Sequence, residues 1–143
     1  MKLIDWLFSR LDGIRHRLRL GRWNEESAWG RRAEDLTHRY LQSRGMVVVD
    51  RNWHIPTRRG ELDLVAWDGA KVVFVEVKSR RSSCNSDPER AIDDWKLDSM
   101  RRAAVLYLRR WRIPPEQARL DLVTIVFEPF ELRHIPDAWS LRG

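Results

Sequence analysis

The order of apolar and polar residues predicts two β-strands joined by a tight turn in the middle of the chain. Residues 60–67 and 71–80 are rich in β-branched and aromatic side chains, which favour strands. Asp68-Gly69 between them is typical of a hairpin turn. Because side chains alternate along a strand, Glu76 and Lys78 point to the same face of the sheet.

The length of the turn decides which residue of the first strand faces Glu76. Pairing Trp67 with Val72 places Asp63 directly opposite Glu76, whereas a turn made of residues 68–69 places Asp63 diagonally beside it. Both registers put the two carboxylates and the nearby lysine on one face. A slip of one residue would separate them.

Two carboxylates and a lysine in an otherwise apolar pair of strands indicate a catalytic site. Carboxylates held close together repel one another unless a proton or a cation lies between them. Their hard oxygen atoms suit Mg²⁺ or Mn²⁺. A neighbouring lysine can orient an attacking water or stabilise charge on a phosphate. We therefore regard Asp63, Glu76 and Lys78 as candidate catalytic residues for metal-assisted hydrolysis of phosphodiester bonds.

Five segments, taken in order, resemble a known family. They are Gly30-Arg31-Arg32-Ala33-Glu34-Asp35, Arg51-Asn52, Gly60-Glu61-Leu62-Asp63-Leu64, Phe74-Val75-Glu76-Val77-Lys78 and Lys96. Across residues 29–139 the chain is similar to the YraN family of small bacterial proteins, which is related in fold to archaeal Holliday-junction resolvases. The Asp…Glu-x-Lys pattern resembles that of restriction-endonuclease-like nucleases, although Leu62 stands where the broad nuclease motif has proline.

The resemblance implies a Mg²⁺- or Mn²⁺-dependent nuclease that acts on DNA rather than RNA, with branched DNA as one possible substrate. It implies that Asp63 and Glu76 bind the metal ion, joined by Glu34 from the first core helix and by the carbonyl oxygen of Val77. Lys78 would position the attacking water. Relatives that resolve junctions act as dimers because their substrate is two-fold symmetric, so we expect a homodimer.

Further residues are expected around this site. Glu61 shares the active face, and Lys96 matches the family's lysine, so both are candidate accessory residues. Four arginines at the ends of the strand pair are candidates for binding nucleic-acid phosphates: Arg58, Arg59, Arg80 and Arg81.

Two other functions fit the same sequence. The first is a nucleic-acid-binding or adaptor protein that keeps the nuclease fold without cleaving its ligand. The second is a structural or partner-binding protein that uses the N-terminal helix. The intact set of Asp63, Glu76 and Lys78 favours the nuclease, because a binding module without a metal ion has no need to keep all three.

The remaining pattern predicts an α/β domain in which a central mixed sheet is flanked by helices, with a restriction-endonuclease-like core and the hairpin at its centre. Ser27 is expected to cap the first core helix, the valines of the first strand to be buried on both faces, and Trp111 to lie on the buried face of the long helix. The predicted further elements are a helix at 28–43, a strand at 46–53, a helix at 87–111, a strand at 120–127 and a short edge strand at 130–135.

Residues 2–20 are predicted to form an additional amphipathic helix, giving an extension at 1–22 and a nuclease-like domain at 27–143. The extension contains six basic and two acidic residues, so it carries +4 of the overall charge of +6. Three roles are open for it: packing on the domain or on a second copy, contacting nucleic acid as a basic arm, or lying on a membrane surface.

Length and composition indicate the number of domains and the cellular compartment. The 143 residues suit a single domain with a real core. A single cysteine, Cys84, favours a reducing compartment. We expect no transmembrane segment and no signal peptide, and therefore a cytoplasmic protein.

Overall fold

The computed structural model describes residues 2–21, 24–57, 59–82 and 94–142, with side chains from Leu7 onward. In these residues a five-stranded mixed sheet is flanked by helices, which confirms the predicted α/β class and the additional N-terminal helix. The elements are α1 (Lys2–Leu20), α2 (Glu25–Ser43), β1 (Val47–His54), β2 (Glu61–Asp68), β3 (Lys71–Ser82), α3 (Asp94–Trp111), a 3₁₀ turn (Pro115–Gln117), β4 (Ala118–Glu128) and β5 (Phe130–Trp139).

The strands are ordered β1-β2-β3-β4-β5, so the strand that carries Glu76 and Lys78 is central. β3 pairs in parallel with β4, and the other neighbours pair antiparallel. A parallel pair needs a long crossover connection. The chain between β3 and β4 supplies it and includes α3.

Each face of the sheet has its own apolar core. Val72 and Phe74 of β3 pack with residues of α3 on one face. Val73 and Val75 pack with residues of α2 on the other face. Because side chains alternate along β3, Glu76 follows Phe74 onto the face covered by α3.

The prediction that β1 is buried on both faces is wrong. Val47 is 62% exposed and Val49 is 46% exposed. β1 lies at the edge of the sheet, and its register with β2 shifts between Val48 and Asp50, which marks a bulge. An unbroken run of valines can thus form an edge strand, because strand order and not local sequence decides which strand has a single neighbour.

One helix boundary differs from prediction. α2 begins at Glu25, and the side chain of Asn24 accepts a hydrogen bond from the Ser27 N–H at 2.8 Å, so Asn24 and not Ser27 is the N-cap. The predicted start of the long helix at residue 87 lies outside the described residues. At its other end Trp111 is more than half exposed, contrary to prediction, although Tyr107 and Leu108 are buried as expected.

The final strand is confirmed at the sheet edge but is longer than predicted. β5 extends to Trp139, which pairs with Leu120 and packs against the core on the α3 side. Pro136 is tolerated inside this strand because an edge strand has no second neighbour to receive a backbone hydrogen bond.

The additional helix α1 lies against α2. Asp12 accepts hydrogen bonds from Arg39 at 2.5 and 3.0 Å, and Arg19 donates to Asp35 at 2.8 Å. Of the roles open for this helix, packing on the domain is therefore what the structure shows. None of the described helices combines the length and the apolarity that crossing a membrane would need.

The start of β2 generates a stability prediction, because Gly60 lies tightly against α3. A Cβ atom at Gly60 would lie 2.6 Å from Ile55 Cδ1 and 2.7 Å from the Ser99 carbonyl oxygen. We expect Gly60→Ala to lower the free energy of unfolding by about 1–3 kcal/mol, since the helix backbone cannot yield locally. Urea unfolding measures the change.

The control for this prediction is Gly30→Ala inside α2, where an added Cβ atom would meet nothing within 4 Å. We expect that variant to be more stable by up to about 1 kcal/mol, because alanine is the better helix former. A Gly60→Ala protein as stable as the wild type would contradict the close packing of β2 on α3.

Candidate functional site

The site is built on β3, where a carboxylate is buried among lysines. The Glu76 side chain is buried, and its Oε1 lies 3.5 Å from Lys78 Nζ and 3.7 Å from Lys96 Nζ. Its other oxygen, Oε2, is also buried and has no hydrogen-bond partner within the described residues. Such an oxygen normally finds a donor, so within the described residues Glu76 Oε2 is a candidate ligand atom.

β2 brings Asp63 to this carboxylate. The register of β2 and β3 runs from Asp68↔Lys71 to Leu64↔Val75 and includes the predicted pair of Trp67 and Val72, so the turn consists of residues 69–70 and not of residues 68–69. Beyond that pair the Val77 N–H donates to Asp63 Oδ2 at 2.8 Å. A backbone N–H of the central strand is therefore hydrogen-bonded to a side-chain carboxylate, and this contact holds Asp63 beside Glu76.

The two carboxyl groups strongly affect each other's protonation. Burial raises the pKa of Asp63 well above its ordinary value, and the negative charge of Glu76 raises it further. Burial also raises the pKa of Glu76, while Lys96 and Lys78 oppose that rise. Because neither charge is fully compensated, the pair favours uptake of a proton or a cation.

α3 contributes a second lysine. Lys96 donates to Glu61 Oε1 at 2.6 Å, and this hydrogen bond lowers the pKa of Glu61. Burial alone would lower the pKa of Lys96, but Glu76 and Glu61 outweigh burial and raise it. His54 Nδ1 lies 3.6 Å from the second oxygen of Glu61. Lys96 is thus a fixed cation between the two glutamates.

Glu34 lies near the pair but is held by other groups. Its Oε2 accepts from Arg31 at 3.0 Å and from Asn52 at 3.2 Å, and Arg51 lies 3.6 Å away. Its charge still contributes to the raised pKa of Asp63. In the part of the chain that the structure describes, no group of three or more Asp, Glu, His or Cys residues is arranged to hold a metal ion. The structure brings together two carboxylates, with Glu34 at their margin.

Sequence reasoning assigned no role to Asn52, which connects Glu34 to β1. Asn52 has a positive φ of 50° and lies between Arg51, which pairs with Leu64, and Trp53, which pairs with Leu62. Asn52 therefore lies beside Asp63 on the neighbouring strand. An asparagine in the middle of a strand was the available signal, since asparagine is depleted in strands but tolerates the left-handed conformation.

Three of the four arginines expected to bind phosphates lie in the described residues, and each has a contact or a pocket of its own. Arg58 lies outside the described residues. Arg59 is exposed, and its carbonyl oxygen accepts from Arg102 at 3.3 Å. Arg81 forms an ion pair with Glu25 of α2. Arg80 lines a separate pocket of about 360 Å³ with Arg81, Glu25, Glu26, Trp29, Ser79 and Phe127. Binding of phosphates by these side chains stays a prediction.

Comparison with known proteins agrees with the resemblance. A family model described as "Uncharacterised protein family UPF0102" matches residues 33–125, which include both carboxylates and both lysines of the site. A UPF0102 protein of Solibacter usitatus is 45% identical over 126 residues, covering 88% of this chain and 91% of that protein. A UPF0102 protein of Syntrophomonas wolfei is 40% identical over 118 residues, covering 80% and 97%.

The raised pKa values generate a prediction for the protein in EDTA. A folded state that holds protons more tightly than the unfolded chain is most stabilised below the ordinary carboxyl pKa of about 4, and it loses that stability as the pH rises through the raised values. We therefore expect Asp63→Asn to unfold at a higher temperature than the wild type at neutral pH. Each unit of pKa elevation corresponds to about 1.4 kcal/mol.

Thermal unfolding of both proteins from acidic to weakly alkaline pH measures this difference. It should shrink towards acidic pH, where the wild-type pair is protonated. Asp98→Asn is the control, because Asp98 is exposed and pairs only loosely with Arg101 at 3.6 Å. If the unfolding temperatures of Asp63→Asn and the wild type were equal, or differed by the same amount at every pH, the raised pKa values of the carboxyl pair would be contradicted.

Proposed function

The chain belongs to the UPF0102 family, for which YraN is another name, and we propose that it is a metal-dependent nuclease that hydrolyses phosphodiester bonds in DNA. The observation that carries the proposal is the pair of Asp63, which is half-buried, and Glu76, which is buried, beside two lysines. A core does not need such a pair, and burying it is costly. Groups retained at such a cost are candidates for function.

The residues present fit a divalent cation. Both carboxylates offer hard oxygen atoms, and Glu76 Oε2 is buried without a hydrogen-bond partner in the described residues. Asp63 and Glu76 would hold Mg²⁺ or Mn²⁺, with the Val77 carbonyl and Glu34 as further candidate ligands. Such an ion, when bound, supplies Lewis-acid chemistry: it makes water more acidic and neutralises charge on the phosphate.

The lysines act on the same reacting group. The Lys78 ammonium lies 3.5 Å from Glu76 Oε1, so its charge is directed at the place where the phosphate would be attacked. There it would position the attacking water and stabilise the extra negative charge of the pentavalent transition state. Lys96, anchored by Glu61, would hold the carboxylate of Glu76 in position.

One observation favours the alternative, a nucleic-acid-binding or adaptor protein. Lys78 and Lys96 already place two positive charges beside Glu76, so part of the negative charge of the carboxylate pair is offset without a metal ion. In that case the site would stabilise the domain or bind phosphate without cleaving it. Metal dependence of cleavage separates the two functions.

We expect the protein to cut DNA in the presence of Mn²⁺ and not in EDTA. Glu76→Gln and Lys78→Met should each lower the cleavage rate by about 10²–10³-fold, because each removes charge from the reacting centre. Labelled linear duplex, single-stranded and four-way-junction DNA serve as substrates, and gel electrophoresis of the products gives rate and preferred structure.

The control for cleavage is Glu131→Gln, which alters an exposed carboxylate on β5 that pairs with Arg133. It should cut as fast as the wild type. Cutting that persists in Glu76→Gln would place catalysis elsewhere or reveal a contaminating nuclease. No cutting by the wild type, with salt-sensitive DNA binding retained, would favour the binding module.

Metal binding is measured separately by thermal shift. We expect Mn²⁺ to raise the unfolding temperature of the wild type, because a ligand that binds only the folded state stabilises it. Glu76→Gln should abolish the shift. Glu34→Gln should weaken the apparent affinity by about 10–100-fold if Glu34 orients or completes the ligand set.

Glu26→Gln is the matched control for Glu34→Gln, since Glu26 is an exposed glutamate on the same helix. Its Mn²⁺ response should equal that of the wild type. A Mn²⁺ shift of equal size in wild type and Glu76→Gln would show that the ion binds away from the carboxylate pair.

A further inference from the structure

Helix α1 presents an apolar stripe on its exposed side. Leu7, Leu11, Ile14 and Leu18 are between 40% and 61% exposed. Their spacing of four, three and four residues places them along one side of a helix. The stripe spans about 16 Å, at 1.5 Å per residue. Four large side chains in a line form a contiguous surface, not scattered exposure.

The opposite side of α1 is polar and is fixed to the domain. Asp12 is buried against Arg39, and Arg19 pairs with Asp35. His16 is also buried, and its ring packs on Trp29 at 4.5 Å between centroids. Turning the stripe towards α2 would break these ion pairs. The polarity of the helix is therefore reversed with respect to an ordinary surface helix, whose apolar side faces the core.

Positive charge borders the stripe. At 100° per residue, Arg10 and Arg17 lie on one flank and Arg15 lies on the other, and all three are exposed. Asp12 is the only acidic residue among residues 7–21, and it is buried. Between residues 7 and 20, the exposed part of α1 thus combines apolar side chains with charge of one sign.

We propose that α1 docks the protein onto an anionic phospholipid surface, with the helix in the plane of the membrane. Leu7, Leu11, Ile14 and Leu18 enter the boundary between headgroups and acyl chains, and the flanking arginines contact the phosphate groups. Apolar burial and electrostatic attraction are both required, because neither alone gives stable attachment. The proposal does not depend on nuclease activity.

Charge complementarity argues against two other partners for the apolar stripe, a second copy of the chain and a nucleic acid. If two copies packed stripe against stripe, Arg15 and Arg17 of both would flank one seam, and the single acid among residues 7–21 is Asp12, which is buried and lies 3.7 Å from Arg15. A nucleic acid would satisfy the arginines but leave the apolar stripe in water. An anionic lipid surface satisfies both.

Sedimentation with vesicles tests the proposal on the full chain. We expect the wild type to sediment with vesicles of equal parts phosphatidylglycerol and phosphatidylcholine, and to remain in solution with phosphatidylcholine alone. The double variant Ile14→Gln/Leu18→Gln should bind at least about tenfold more weakly, because it removes apolar area while glutamine keeps the helix propensity of α1. Arg17→Gln should weaken binding about fivefold.

Leu106→Gln is the matched control, since Leu106 is an apolar residue of similar exposure on α3. It should bind vesicles as the wild type does, and circular dichroism should show unchanged helix content in every variant. High salt should weaken binding of the wild type. Equal binding by the wild type and the double variant would overturn the proposal, as would failure of the wild type to bind anionic vesicles.

A second copy as the occupant gives a different result. Sedimentation velocity would then show a dimer of the wild type that is lost in Ile14→Gln/Leu18→Gln, without vesicle binding. Salt-sensitive DNA binding that is lost in Arg17→Gln but kept in the double variant, again without vesicle binding, would identify α1 as a nucleic-acid arm. Either result would overturn the lipid-surface proposal.

Discussion

The hydrogen bond from the Val77 N–H to Asp63 is the contact on which the site depends. The Val77 N–H of the central strand donates to the Asp63 carboxylate, so Asp63, which is half-buried, is held beside the buried Glu76. Placing two carboxyl groups side by side with little access to water is unfavourable, and it raises the pKa of both. Lys78 from the same strand and Lys96 from α3 reduce that cost. Strand pairing, helix placement and charge are therefore coupled at one point.

This coupling extends away from the sheet through shared arginines. Arg51 on β1 donates to Asp35 and approaches Glu34, and Asp35 in turn accepts from Arg19 of α1. The chain of ion pairs links the N-terminal helix to a residue at the margin of the carboxylate pair. Paired charges of this kind constrain orientation more than they add stability. They fix α1 with its polar side inward, and this leaves the apolar stripe of Leu7, Leu11, Ile14 and Leu18 in solvent.

The local sequence pattern correctly predicted the centre of the sheet, but it did not predict the exposure of the edge strand β1. The alternation of side chains along β3 alone predicted that Glu76 and Lys78 share one face, and the predicted pairing of Trp67 with Val72 is the observed register of β2 and β3. Exposure of Val47 and Val49 depends on strand order, which is a long-range property that a run of valines does not contain. The partners of Glu34 were equally hidden, because Asn52 reaches it only through an unusual backbone conformation.

The structure also changes what the basic composition means. Of the net charge of +6, the first 22 residues carry +4, and most of that charge belongs to α1, which lies outside the residues matched by the family model. On α1 the arginines flank apolar side chains, a combination that suits lipid headgroups better than a phosphodiester backbone. The rest of the chain is only weakly basic. Overall basicity therefore supports the nuclease proposal little, and that proposal rests on the geometry of Asp63, Glu76 and the two lysines.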